Sequence, residues 1–211
     1  MWSDVTLPGL CSAGLRMPLA DSFNWLLMLA VMTPPLVVAP LRHIRERSFA
    51  HRSARAMFLF VIGYGTVWMI AAMGLQAMVS AAQAVSSDTL ICLALSTVAA
   101  TLWQVSPAKQ WCLNRCHRRP QLAAFGAPAD RAAFSFGLAH GAACVGACWA
   151  LMLLPLFAGQ GHVLIMLAVM LFAFAERLEG AAPLAWRWRG PGKAFRIVAA
   201  QARIHLAPRT N

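Results

Sequence analysis

Five apolar runs, each near the length of a bilayer crossing and with charged residues swept out of them or to their ends, restrict what this chain can become. They cover residues 24–41, 56–80, 88–106, 133–158 and 161–178. About 20 consecutive apolar residues suffice for a helix to cross the hydrocarbon layer, where the backbone must satisfy its own hydrogen bonds. With 60% hydrophobic and only 12% charged residues, the chain falls outside the range of ordinary soluble domains. The pattern predicts an all-α fold, a polytopic membrane helical bundle of about five transmembrane helices. Pro34, Pro35 and Pro40 remove backbone donors from the first run and should kink it.

Charge placement predicts orientation and domain limits. Arg42, Arg45, Arg47, Arg52 and Arg55 fill the first gap; Lys109, Arg115, Arg118, Arg119 and Arg131 fill the third; Arg177, Arg187, Arg189, Lys193, Arg196, Arg203 and Arg209 follow the last run. The second and fourth gaps hold no basic residue. By the positive-inside rule the N-terminus lies outside and the C-terminus is cytoplasmic, in a bacterial inner membrane. The expected division is a leader over 1–23 with no cleavable signal, a transmembrane domain over 24–180, and a basic amphipathic tail over 181–211. In that tail Trp186 and Trp188 alternate with arginines, as in an anchor at headgroup depth. The net charge of +11 is spread over loops without a nucleic-acid-binding motif, so membrane lipid is the expected partner and nucleic acid is not.

Within the fourth run, His140, Cys144, Cys148 and Met152 recur every four residues. On a helix they form one stripe that rotates by about 40° per step. Imidazole, thiolate and thioether together favour Cu(I) over hard cations, and such groups inside a membrane read as functional. Each residue alone also suits plain packing, cysteine as a small hydrophobe and methionine as a gap-filler. The shared register is what packing does not account for. Zinc accepts the same histidine and thiolates; the pairs Met28/Met32, Met69/Met73 and Met166/Met170, each four apart, tilt the choice to copper.

A second set, Cys112, Cys116 and His117, lies beyond the third run. The two thiols share a helix face, and the neighbouring Lys109, Arg115, Arg118 and Arg119 favour the thiolate that binds metal or attacks a disulfide. The alternative is a pair of ordinary juxtamembrane cysteines open to palmitoylation. Glu176, beside Arg177 at the end of the fifth run, reads as a partner for that arginine. Cys11 is a lone thiol on the leader.

The blocks WLLMLAVMTPPLVVAP, WQVSPAKQWCLNRCHRRP and GLAHGAACVGACWALMLL, with the pair Glu176-Arg177, resemble a bacterial family described as predicted metal-binding integral membrane proteins, a domain of unknown function. The resemblance runs from about Trp25 to Glu179. Its most specific part is Gln104, Pro107, Lys109, Cys112, Cys116 and Pro120, followed by His140, Gly141, Cys144, Gly146, Cys148 and Trp149. It implies a polytopic helical protein that binds metal, copper above all, with no established reaction. The family has two adjacent cysteines after the glycine matching Gly146, where this chain has Ala147 before Cys148. The doubled methionine of the first block is Val31-Met32 here. Relatives also carry a helix ahead of the first block, where this chain has a short leader.

Together these features predict a non-enzymatic Cu(I)-binding membrane protein for copper delivery, transport or homeostasis. His140, Cys144, Cys148 and Met152 form the buried site; Cys112, Cys116 and His117 form a cytoplasmic loading or unloading site. The expected partner is a copper protein or an enzyme under assembly. A membrane thiol oxidoreductase is the rival reading, weakened because neither cysteine pair is C-x-x-C; a ligand-free membrane scaffold is the third.

Overall fold

A computed structural model describes residues 29–30, 32–123, 125–158, 161–188, 190 and 192–206. The leader, Cys11, Met28, Arg189 and Arg209 lie outside the described residues. Every regular element among those described is an α-helix: α1 (Pro34–Arg47), α2 (Ala50–Val85), α3 (Thr89–Val105), α4 (Pro107–Cys116), α5 (Gly126–Phe157), α6 (His162–Leu178) and α7 (Gly192–Leu206).

Two helices, α2 and α5, are long and apolar enough to cross a membrane, and α3 with α4 makes a third if that bent pair counts as one span. The structure therefore supports two or three of the five expected crossings. Helix α6 matches its predicted limits, but 17 residues rise only about 26 Å at 1.5 Å each, short of the ~30 Å hydrocarbon core. The first expected span is the larger departure. The chain is helical at Leu29, Ala30 and Met32, bends at Thr33, and restarts at Pro34. Pro34 and Pro35 occupy the opening positions of α1, where a missing N–H costs nothing. The helix then runs on through Arg42, Arg45 and Arg47, so its second half is charged.

Helix α5 is central, with 56% of its most apolar window buried against 33% for α2. These two pack most closely, and glycines permit it. A Cβ at Gly137 would lie 2.3 Å from the Phe60 carbonyl oxygen, one at Gly63 2.6 Å from that of Phe134, and one at Gly141 3.2 Å from that of Tyr64. Gly137 and Gly141 form a G-x-x-x-G face, the small-residue spacing that lets membrane helices touch backbone to backbone. At the helix starts, Asp130 accepts from Arg52 at 2.9 Å and pairs with Arg55 at 2.7 Å. We expect Gly137→Ala to destabilise the protein most. Gly141→Ala should cost about 1–2 kcal/mol through overpacking. Gly65→Ala, which meets open space, should be neutral or slightly stabilising. Thermal unfolding in detergent measures the order, and equal effects at all three positions would refute the close-contact account.

Helices α3 and α4 meet at Ser106-Pro107 and are bent by 66°. The Ser106 hydroxyl accepts from the Lys109 N–H at 3.2 Å, and Pro107 opens α4, so the break is capped from both sides of the chain. Trp103 on α3 donates its Nε1–H to the Gly146 carbonyl at 2.9 Å and packs edge-on against Trp149. Gly146 also makes room for α4, since a Cβ there would meet the Cys112 sulfur at 2.5 Å.

The tail does more than the anchor the sequence suggests. Residues 181–188 strap the bend: the Arg187 N–H donates to the Val105 carbonyl at 3.1 Å, and Gln110 Nε2 donates to the carbonyls of Ala185 and Arg187. Asn114 exchanges two hydrogen bonds with Ala182. The Arg187 bond satisfies the Val105 carbonyl that the end of α3 leaves unpaired, and the side chains of α4 satisfy main-chain groups of the strap. Trp186 is 72% exposed, as an interfacial side chain is. Large apolar side chains such as Phe58, Ile70, Leu90, Leu95, Leu164 and Leu171 also face outward, an arrangement suited to lipid.

Candidate metal site

The stripe on α5 forms as its spacing predicts. His140, Cys144, Cys148 and Met152 are all buried, Cys144 completely. Cys148 Sγ lies 3.1 Å from the Cys144 carbonyl, one helical turn back, and Cys144 Sγ lies 3.2 Å from the Tyr64 hydroxyl on α2. Tyr64, Phe60 and Phe136 surround the His140 ring at centroid distances of 6.1, 5.9 and 5.9 Å. Cys144, Cys148 and Met152 belong to one buried cluster with Met32, and Met69, Met166 and Met170 pack against it.

Arg177 enters this site from α6. One guanidinium nitrogen stands 3.5 Å from His140 Nε2 and 3.3 Å from the Leu36 carbonyl, within electrostatic reach of the Cys144 thiol. The sequence pairs Arg177 with its neighbour Glu176; the structure separates them. Adjacent residues on a helix point about 100° apart, so when Arg177 faces the stripe Glu176 faces the bend between α3 and α4. There Lys109 Nζ contacts Glu176 Oε1 and Oε2 at 2.8 and 2.7 Å, and Gln104 bridges the two by short hydrogen bonds to each. Lys109 and Glu176 are 1% and 2% exposed. This buried pair was not anticipated. No local pattern marks it, since Lys109 and Glu176 stand 67 positions apart on different helices.

The second set is dispersed. Cys112 is buried against Gly146, and Cys116 is half-buried, within electrostatic reach of Cys144 and Arg177. His117 Nδ1 faces the Leu113 carbonyl at 2.8 Å and Nε2 the Arg177 carbonyl at 3.0 Å, so neither nitrogen presents a free lone pair to a metal in this arrangement. Of the basic residues expected to attend the thiols, Lys109 is committed to Glu176, and the Arg115 guanidinium sits 3.9 Å over the Trp111 ring. Cys92 is separate, in the first turn of α3, where its sulfur faces the Ser86 carbonyl. No group of three or more His, Cys, Asp or Glu side chains converges for a metal among the described residues. The arrangement offers a pair of buried thiols with a thioether one turn away, beside a half-buried cation. Such donors are soft, and soft donors select Cu(I).

No curated protein and no solved structure matches the chain. The model of the PpoB2 copper chaperone family matches residues 22–199, a stretch that holds the whole α5 stripe, Arg177 and the strap, and the chain belongs to that family.

Proposed function

We propose that this copper chaperone family member is an integral membrane protein that holds Cu(I) between the thiolates of Cys144 and Cys148, with Met152 and His140 able to complete the coordination. It acts as a non-enzymatic carrier that hands copper to a copper protein or an enzyme under assembly. The observation that carries the reading is the position of the Arg177 guanidinium at the stripe, 3.5 Å from His140 Nε2 and one helical turn from Cys144. Two thiolates and one Cu(I) carry a net charge of −1, and a buried charge is tolerated only when paired. Arg177 supplies the opposite charge. The Met152 thioether tilts the set to Cu(I), since zinc is held by thiolate, imidazole and carboxylate. Cys116 is the loading or unloading thiol at the basic end of the bundle, with Cys112 and His117 on the neighbouring turns of α4.

Protein purified anaerobically under reducing conditions should carry one Cu(I) per chain, by elemental analysis. Zinc in its place, or no metal after copper loading, would overturn the assignment. The protein sits in the bacterial inner membrane, its basic loops against anionic headgroups. The charge alternation places the N-terminus outside and the C-terminus in the cytoplasm, so reporters fused after Ser53 and Arg119 should read cytoplasmic and those after Ser86 and Gln160 periplasmic. A cytoplasmic signal at Ser86 would refute the topology.

A further inference from the structure

At the end of the bundle where α1 and α4 finish, two clefts meet. The wider, about 390 Å³, is lined by Val38, Ala39, Arg42, His43, Glu46 and Arg119. The narrower, about 80 Å³, shares Ala39 and Arg119 and continues past Arg118 and His117 to Cys116 and Phe136. Phe136 occupies the turn of α5 immediately before His140, so the trough ends where the stripe begins. His43 is held by the Pro120 carbonyl at 3.0 Å. The free charges along the trough are therefore Arg42, Arg118 and Arg119 against the single carboxylate Glu46. A cleft of this volume takes a small molecule and is too narrow to admit a folded protein domain. Its floor is a thiol and its walls are cationic.

We infer that the protein takes its copper as the Cu(I) complex of an anionic low-molecular-weight thiol, held in this trough by Arg42 and Arg119 and unloaded onto Cys116. The inference rests on the copper reading of Cys144 and Cys148. In the exchange, the Cys116 sulfur–copper bond forms as one bond from copper to the carrier thiol breaks. The Cys116 proton leaves on the departing carrier as its free thiol. Copper stays in the +1 state and no electron moves. A second exchange of the same kind passes the metal to the stripe, which begins one turn beyond Phe136 at the end of the trough, and Arg177 balances the resulting anion. Guanidinium groups suit the recognition step because they pair with carboxylates in bidentate geometry and stay charged at all relevant pH values.

The test compares two donors with full-length protein in nanodiscs: Cu(I)–glutathione, which is anionic, and Cu(I)–2-mercaptoethanol, which carries no carboxylate. Loading is followed by rapid mixing and chelator quench. Arg42→Gln/Arg119→Gln should slow loading from glutathione about tenfold, the lower end of electrostatic steering, and leave loading from mercaptoethanol within about twofold. Added salt should shrink the difference, since exposed charges are screened. The final copper content of the variant, reached with the carboxylate-free donor, reports that it is folded. Equal slowing with both donors, or none with either, would overturn the trough as a recognition site while leaving the copper site standing. Failure of the unmodified protein to load from either donor would overturn the copper reading itself.

Discussion

Replacing both Cys144 and Cys148 with serine is expected to leave roughly a tenth or less of the bound Cu(I), because a hydroxyl is nearly isosteric with a thiol but a poor ligand for a soft ion. The variant should remain folded. Serine at position 144 keeps a hydrogen-bonding group opposite the Tyr64 hydroxyl, now 3.2 Å from the sulfur. Serine at position 148 can still donate to the Cys144 carbonyl that the thiol faces. Leu151→Ala is the packing control. Leu151 borders the same core without joining the stripe, so truncation should cost about 2 kcal/mol or more of stability and leave copper content unchanged. Elemental analysis and thermal unfolding separate the two effects. Full copper content in the double serine variant would reject the thiol pair as the site.

Lys109→Met is expected to be among the most destabilising single substitutions outside the α2–α5 contact. It leaves the Glu176 carboxylate and Gln104 buried at the bend without their cation. Breaking one side of a buried ion pair costs about 3–5 kcal/mol, whereas replacing both partners with apolar groups of similar size is often neutral. The double variant Lys109→Met/Glu176→Leu should therefore recover most of the loss. A single variant as stable as the unmodified protein would show that the pair contributes nothing net. The copper content of the double variant carries a second result. If the pair matters because it holds the end of α6 against the bend, copper binding should return with stability, since Arg177 stands on the neighbouring position and faces the stripe.

Periodicity along a single helix was legible without a fold. The four-residue recurrence of His140, Cys144, Cys148 and Met152 places them on one side of α5 whatever surrounds it. The limits of α3 and α6 came out within a residue or two because local breakers bound them, Asp88 and Ser106-Pro107 around α3 and Gly161 before α6. Gly137 and Gly141 carried an equally local signal, a small-residue face that marks where another backbone touches α5; the sequence reading passed over it, and its partner on α2, Phe60, appears only once the helices are packed. The break at Pro34 and Pro35 was legible for the same local reason: the chain is helical at Leu29, Ala30 and Met32, bends at Thr33 and restarts at Pro34, although α1 then runs past the expected limit to Arg47.

Side-chain direction across helices was not legible. The sequence places Glu176 beside Arg177, and proximity in the chain suggests an ion pair. The helix turns about 100° between them, and packing then assigns each a different partner: Lys109 for Glu176, His140 and the Leu36 carbonyl for Arg177. Only tertiary structure brings those groups together, from positions 37 to 141 residues apart. The same holds for the strap over the bend, whose Arg187 N–H meets the Val105 carbonyl across 82 positions. The local pattern thus determines which residues line the stripe, since that follows from helical geometry alone. What stands opposite them, a guanidinium in place of solvent or lipid, is decided by how α5 and α6 pack, because a cation so placed has no periodicity to reveal it.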